Sequence, residues 1–177
     1  SLNDLIDNKI TMDFSIINVT LKNKENIDVA KLNNALQNNN YNYTVSDPDG
    51  VDAQLLDNIK NGSVNSLINT LKRLGNVSTN NKVFSSLNNK ESSFYLDENN
   101  IVIVKPKIID EKIMFSYLIN GNGDFNELNQ TIITKNGKTN ILMLMSNDSE
   151  SKKNIKVVNN KNKEITIVTA TAYFTSK

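Results

Sequence analysis

The hydrophobic and polar positions of this 177-residue chain fall into three patterns, and each predicts a different element. In the first, apolar residues alternate with polar ones. Ile10, Met12, Phe14 and Ile16 keep one phase, and Ile17, Val19 and Leu21 continue in the opposite phase, so a strand over 10–21 either bulges near Ile16-Ile17 or is buried on both faces. In the second, Val64, Leu67, Ile68, Leu71 and Leu74 recur at helical spacing. Ser63 is placed to cap, Lys72 and Arg73 fall in the last turn where the dipole favours cations, and Gly75 supplies a C-terminal stop, so Gly62–Gly75 reads as the central amphipathic helix. In the third, β-branched runs separated by turn signals fill the C-terminal part.

Other segments complete the outline. Ser1–Lys9 is a lead-in with an apolar stripe at Leu2, Leu5 and Ile6; Asn23–Asn26 is a polar connection; Ile27–Leu36 reads as a short helix and Tyr41–Val45 as a strand. Val51–Ile59 is helical through Leu55, Leu56 and Ile59. After Gly75 come short β-prone pieces, Val77–Thr79 and Val83–Ser85, then a turn at Leu87-Asn88-Asn89 and a strand over Ser92–Leu96. Ile101–Ile109 is a strand that Pro106 demotes to an edge, an end or a bulge, and Asp110-Glu111 turns it into Lys112–Ile119 as a hairpin. Thr131–Met145, centred on Asn136-Gly137, is the strongest hairpin signal and favours a type I′ turn. Its second arm, Ile141–Met145, is apolar on both faces, which suits a strand sandwiched between layers or set against lipid. Ser146–Asn154 is a polar loop, and Ile155–Val158 with Ile165–Phe174 forms a closing hairpin whose second arm changes phase at Ile167-Val168. The fold class is therefore mainly β with α+β character: antiparallel strands and hairpins, roughly eight strands in all, around one central amphipathic helix. One domain over 1–177 is expected, with the N-terminal strand and helices in 1–75 and a strand-rich part in 76–177.

Composition removes whole classes of function. With no His and no Cys there is no thiolate nucleophile, no cysteine metal site and no histidine base or ligand, so no residue is assigned as catalytic, cofactor-binding or metal-binding, and no enzyme is expected. The formal charge of +1 argues against a nucleic-acid partner held by phosphate contacts. Asp47-Pro48-Asp49-Gly50 is a turn without the remaining ligands of a calcium loop, and Asn120–Asp124 is a loop carrying a single copy of a Gly-Asp pattern. Asn-x-Ser/Thr triplets at Asn18, Asn42 and Asn76 carry no weight in so asparagine-rich a chain. No apolar run is long enough for a membrane-spanning helix and no signal peptide stands at Ser1; the missing initiator Met points to a processed chain or a fragment. Lys105, Lys107, Asp110 and Glu111 cluster near a turn as a solvated face or, in an assembly, as charge pairs at a protomer boundary.

Several of these segments also resemble, in order, the secretin domain of bacterial outer-membrane channels. Leu71-x-x-Leu74-Gly75-x-Val77, followed by Leu87-Asn88-Asn89 and Phe94, is similar to the family's opening, and Gly62-Ser63-Val64-Asn65 brings it nearest the type IVb pilus branch. Ile16–Leu21 fills the place of the family's "Glu-x-x-Ile-x-Glu-Val" strand, without its glutamates and without the Trp that follows. Ile101–Asp110 resembles "Leu-x-Val-x-Pro-x-Ile", Ile132–Leu144 the "Asp-Gly-Gln-Thr-x-x-x-Gly-Gly" hairpin, and Glu164–Phe174 the closing "Glu-Leu-x-Ile-x-Ile-Thr-Pro" strand. The gate loop expected between Leu96 and Ile101 is missing, Met143–Ser146 replaces the Gly-Gly, and no "Val-Pro-x-Leu-Gly" precedes Glu164. Either the gate is built differently or pieces are left out, in which case a chain break is expected near Leu96–Ile101.

The resemblance implies a homo-oligomeric channel built as a multimeric double-layered β-barrel ring in the bacterial outer membrane, with a periplasmic-facing part. Its implied partners are identical subunits in a ring, a pilus fibre or secreted protein as passenger, outer-membrane lipids and a pilot lipoprotein. Ile141–Met145 and Ile165–Phe174 are the expected wall strands. The competing class is a soluble secreted or periplasmic β-rich binding module, an adhesin or pilus-associated domain, whose terminal hairpins would present polar outward faces.

Overall fold

The computed structural model describes residues 9–22, 32, 51–61, 64–96, 98, 101–120, 128–146 and 164–175. The expected strand at Tyr41–Val45, the cap at Ser63, the loops at 46–50 and 121–124, the Ile155–Val158 arm and the Leu96–Ile101 break test lie on or depend on residues outside that set. Eight strands and two helices follow in the order β1 (Lys9–Leu21), α1 (Val51–Asn61), α2 (Val64–Leu74), β2 (Gly75–Leu87), β3 (Ser92–Tyr95), β4 (Ile101–Ile109), β5 (Lys112–Asn120), β6 (Leu128–Lys135), β7 (Thr139–Ser146) and β8 (Glu164–Phe174). They form two four-stranded sheets, β2-β1-β8-β7 and β3-β4-β5-β6. The mainly β, α+β class read from the sequence is the one observed, with a second helix besides the central one.

By contact the chain divides into two compact units, one of residues 1–14, 81–139 and 170–177, the other of residues 15–80 and 140–169. The second unit buries the two helices: Leu55, Leu56 and Ile59 of α1 and Leu67 and Leu71 of α2 pack with Ile17, Val19 and Leu21 of β1, Ile141 and Leu144 of β7, and Ile165 and Ile167 of β8. Leu32, which is helical, joins this core and is fully buried. Thr70 ties the helices together, accepting from Asn58 Nδ2 at 2.9 Å and from Arg73 at 3.4 Å, while Arg73 also donates to Gln54 Oε1 at 3.1 Å.

In the first unit Phe14 stacks on Phe84 with centroids 5.9 Å apart and meets Phe94 at 4.9 Å, and Phe84 and Phe94 are 5.8 Å apart. Val102 and Val104 of β4 and Ile113, Phe115, Tyr117 and Ile119 of β5 are buried there as alternate residues on one face of their sheet.

Of the two phase changes seen in the sequence, the one in β1 is a true slip of burial: the buried set passes from Ile10, Met12, Phe14 and Ile16 to Ile17, Val19 and Leu21, and with a side-chain period of two it moves to the other face of the strand. β8 instead buries every residue from Ile165 to Ala170, Thr166 and Thr169 included, so both of its faces are covered there.

Gly75 stops α2 as expected, directly after Leu74, and begins β2 at once; the Leu74 carbonyl accepts from the Lys22 N–H at 3.0 Å. Pro106 sits where β4 is an edge: the strand lies between β3 and β5, but β3 stops opposite Val104, so no β3 residue faces the proline. Two expectations need correction. The pieces at Val77–Thr79 and Val83–Ser85 belong to one 13-residue strand, β2.

The second concerns Thr131–Met145, which is not a hairpin: β6 pairs with β5, and β7 belongs to the other sheet. Gly137 has φ +81° while Asn136 has a negative φ, and Lys138 N–H donates to Lys135 O at 3.2 Å. That is a type II turn, whose twist splays the flanking strands where type I′ would hold them together. The turn is fastened to β8 instead. Asn136 accepts from Phe174 N–H at 3.0 Å and donates to Phe174 O at 2.9 Å, and Gly137 N–H donates to Ala172 O at 2.9 Å.

The type I′ geometry occurs one hairpin earlier. Asp110 and Glu111, at φ 48° and 64°, join β4 to β5 in the register Ile109↔Lys112. The Leu87-Asn88-Asn89 turn is also as expected, with Lys90 N–H donating to Leu87 O at 3.1 Å. It is pinned to β4 by Asn89 N–H to Pro106 O (2.7 Å) and Ile108 N–H to Asn88 Oδ1 (2.9 Å).

Candidate assembly interface

A strand with a hydrogen-bonded neighbour on one side only leaves every second N–H and C=O free on the other, and such a margin is a template for another chain. The orders β2-β1-β8-β7 and β3-β4-β5-β6 leave four margins among the described residues: β2, β7, β3 and β6. Among the described residues neither sheet closes on itself.

Of the four, β2 is the most open. Its 13 residues extend about 43 Å at the usual rise. Its ends are anchored, Gly75 buried at one and Ser86 at the other, where Ser86 Oγ donates to Lys90 O at 3.1 Å. Between them Ser78, Thr79, Asn80, Asn81, Lys82 and Val83 are all exposed. Five of those six are polar, so no apolar pattern draws either face into a core; the strand is held there by pairing with β1. Val83, 62% exposed, is the one apolar residue in that stretch. Beside it, residues 81–85 and 92–94 line a shallow cleft of about 620 Å³ whose floor includes Phe84 and Phe94.

The other margins differ. β3 has only four residues. β6 exposes Asn129, Thr131, Ile133 and Lys135 as alternate residues, with Ile133 65% in solvent. β7 is the reverse of β2: Ile141, Leu142, Met143 and Leu144 are all buried within the single copy, as are Ile165, Ile167, Val168, Ala170 and Ala172 of β8. Of the two environments open to the doubly apolar arm, the layered one holds already in one copy, so its apolar side chains are not an exposed lipid-facing surface.

The charged cluster at the β4–β5 turn is brought together in part. Lys105 and Lys107 are exposed on β4 and Asp110 and Glu111 form the turn itself, with no ion pair joining them among the described residues. No group of three acidic, His or Cys residues is placed to hold a metal among the described residues, and no described helix is long and apolar enough to cross a membrane, which says nothing of strands. Burial pushes the Tyr117 phenol well above its ordinary range.

No family model matches the chain, and no curated protein matches it. Among solved structures it is similar to the secretin GspD of the ETEC pilotin–secretin AspS–GspD complex, at 11% identity and a TM-score of 0.41, over 96% of this chain and 50% of that one. The type II secretion system secretin GspD of E. coli K12 matches at 12% identity and a TM-score of 0.41, over 96% and 50%. The V. cholerae type IV competence pilus secretin PilQ matches at 9% and 0.38, over 96% and 61%. The chain spans about half the length of the two GspD chains.

Proposed function

We propose that this chain is a subunit of a homo-oligomeric outer-membrane channel of the secretin type. The observation that carries the reading is the set of unsealed margins, together with the order of the secretin-like segments along the sequence. Each sheet has two unlike edges, so a closed ring joins β2 of one copy to β7 of the next, and β3 to β6, by a head-to-tail contact that consumes every edge. Unpaired backbone groups are costly in lipid, and ring closure removes that cost.

In this reading the passenger is a pilus fibre or a secreted protein, and the sequence Gly62-Ser63-Val64-Asn65 favours the type IVb pilus branch. The ring sits in the bacterial outer membrane with a part facing the periplasm, served by a pilot lipoprotein, and works by conducting a passenger rather than by catalysis. The alternative, a soluble binding module, draws on the polar exposed middle of β2 and on β7 and β8, whose apolar residues are already buried within one copy. The test is direct. The full-length protein in detergent should run as a high-mass species that resists heating and appear as rings by electron microscopy. A monodisperse monomer refutes the channel.

A further inference from the structure

The face of β3-β4-β5-β6 opposite Val102, Phe115 and Ile119 divides along the strands into an apolar end and a basic end, with Ser93, Ser116, Asn129 and Thr131 as its neutral polar residues. The registers place its residues in rows across the sheet. Tyr95 lies opposite Ile101, and Ile103 lies opposite both Ser93 and Leu118. Tyr95 is 68% exposed, and Ile101, Ile103 and Leu118 are half-buried with no charged residue among them. Toward the Asp110-Glu111 turn the same face carries Lys105, Lys107, Lys112 and Lys135, all exposed, around Met114 and the protruding Ile133. Lys112 stands directly opposite Lys135, a like-charge pair that a free sheet face disfavours. Among the described residues none of the four lysines has an ion-pair partner, and the two acids of the turn leave that end net positive.

We propose that this face docks on an anionic phospholipid surface, with the Tyr95–Leu118 end sunk into the acyl boundary and the four lysines at the phosphates. The scale fits a contact within one leaflet. From Lys105 to Ile101 the strand rises about 13 Å, less than half of the hydrocarbon thickness of about 30 Å. A spanning strand needs about 9–11 residues of apolar face, and here the lysines interrupt it. A phosphate-only contact of the nucleic-acid kind has no use for exposed Ile133 and Tyr95. The contact rests on the channel reading only for which membrane is met, not for the geometry of the face.

The test is flotation of the full chain with vesicles of phosphatidylglycerol and phosphatidylcholine in equal parts, and with phosphatidylcholine alone, while its assembled mass is followed by ultracentrifugation. Binding to the mixed vesicles, weakened by salt and absent from the neutral ones, is expected. The variant K105Q/K107Q/K112Q/K135Q, whose substitutions are all exposed, should bind several hundred-fold more weakly, about fivefold per lysine, with unchanged mass and circular dichroism. Tyr95→Ser with Ile133→Ser should weaken binding and leave its salt dependence intact. Equal binding to neutral vesicles, or full binding by the lysine variant, overturns the proposal, as does loss of assembled mass in that variant, which would make the face a contact between copies. Assembly without vesicle binding sinks the lipid face and leaves the channel standing; vesicle binding by a chain that never assembles does the reverse.

Discussion

Gly75→Ala is the substitution with the clearest physical cause. A Cβ at this position would lie 2.8 Å from the carbonyl carbon of Thr20 and 3.0 Å from Leu21 Cα, and closer still to the Thr20 carbonyl oxygen. Those are backbone atoms of β1 and cannot swing aside as a side-chain tip does. Relieving the overlap means parting β1 from the start of β2 by about an ångström at the place where Lys22 N–H meets Leu74 O. Overpacking of this kind costs about 1–3 kcal/mol, and weakening that hydrogen bond adds about 0.5–1.5 kcal/mol. Against this, Ala gains about 0.4–1 kcal/mol through the unfolded chain. The net loss is centred on about 2 kcal/mol, within a span of about 0.5–4, read as a lower denaturant midpoint at unchanged slope and fixed protein concentration.

Gly137 is the control, because an added Cβ there meets nothing within 4 Å and only the φ of +81° resists it. Gly137→Ala should cost about 1 kcal/mol and Gly137→Asn less, since Asn tolerates that conformation, whereas Gly75→Asn should be at least as damaging as Gly75→Ala. A Gly75→Ala loss under about 0.5 kcal/mol, or rescue of that site by Asn, would refute the close-approach argument.

Other outcomes follow from the same structure. Glu111→Gly relieves a left-handed residue in the β4–β5 turn and should stabilise the fold by about 0.5–1 kcal/mol, seen as a raised unfolding midpoint. Asn136→Ala removes both hydrogen bonds to the Phe174 backbone; with the site exposed, the loss is about 1 kcal/mol, and the Phe174 amide should exchange faster with deuterium. Phe14→Ala, which empties the centre of the Phe14-Phe84-Phe94 cluster, should cost about 3–5 kcal/mol in a thermal or denaturant melt. The Tyr117 phenol has a folded-state pKa raised by burial, so its stabilising contribution is present below the ordinary phenol value near ~10 and is lost as pH rises past it. Tyr117→Phe should flatten that alkaline loss.

What the sequence revealed, and what it hid, divides along physical lines. The slip at Ile16-Ile17 was visible because burial on a strand has period two, and a slip shows as adjacent apolar residues; the similar pair Ile167-Val168 marks a strand buried on both faces, Thr166 and Thr169 included. The helices were visible because Leu55, Leu56, Ile59, Leu67 and Leu71 repeat at their own period. β2 was not visible as one strand, because Ser78–Lys82 has no apolar residue to mark a face and its conformation is set by β1. Asn136-Gly137 looked like a hairpin because the dipeptide permits type I′; the bonds to β8, which no local pattern records, select type II instead. Gly75 was legible as a helix stop, but the backbone of β1 lying against it was not. The basic end of the outer face was half legible: Lys105 and Lys107 stand together in the chain, but only the registers bring Lys112 and Lys135 beside them.

The central claim is that β2 completes its hydrogen bonding against another copy, and amide exchange across residues 76–85 measures it. In a sample shown by mass to be assembled, the outward amides of Ser78–Val83 should exchange as slowly as those facing β1. If half of that stretch exchanges at the rate of free chain in the assembled protein, the margin is unpaired and the account is wrong.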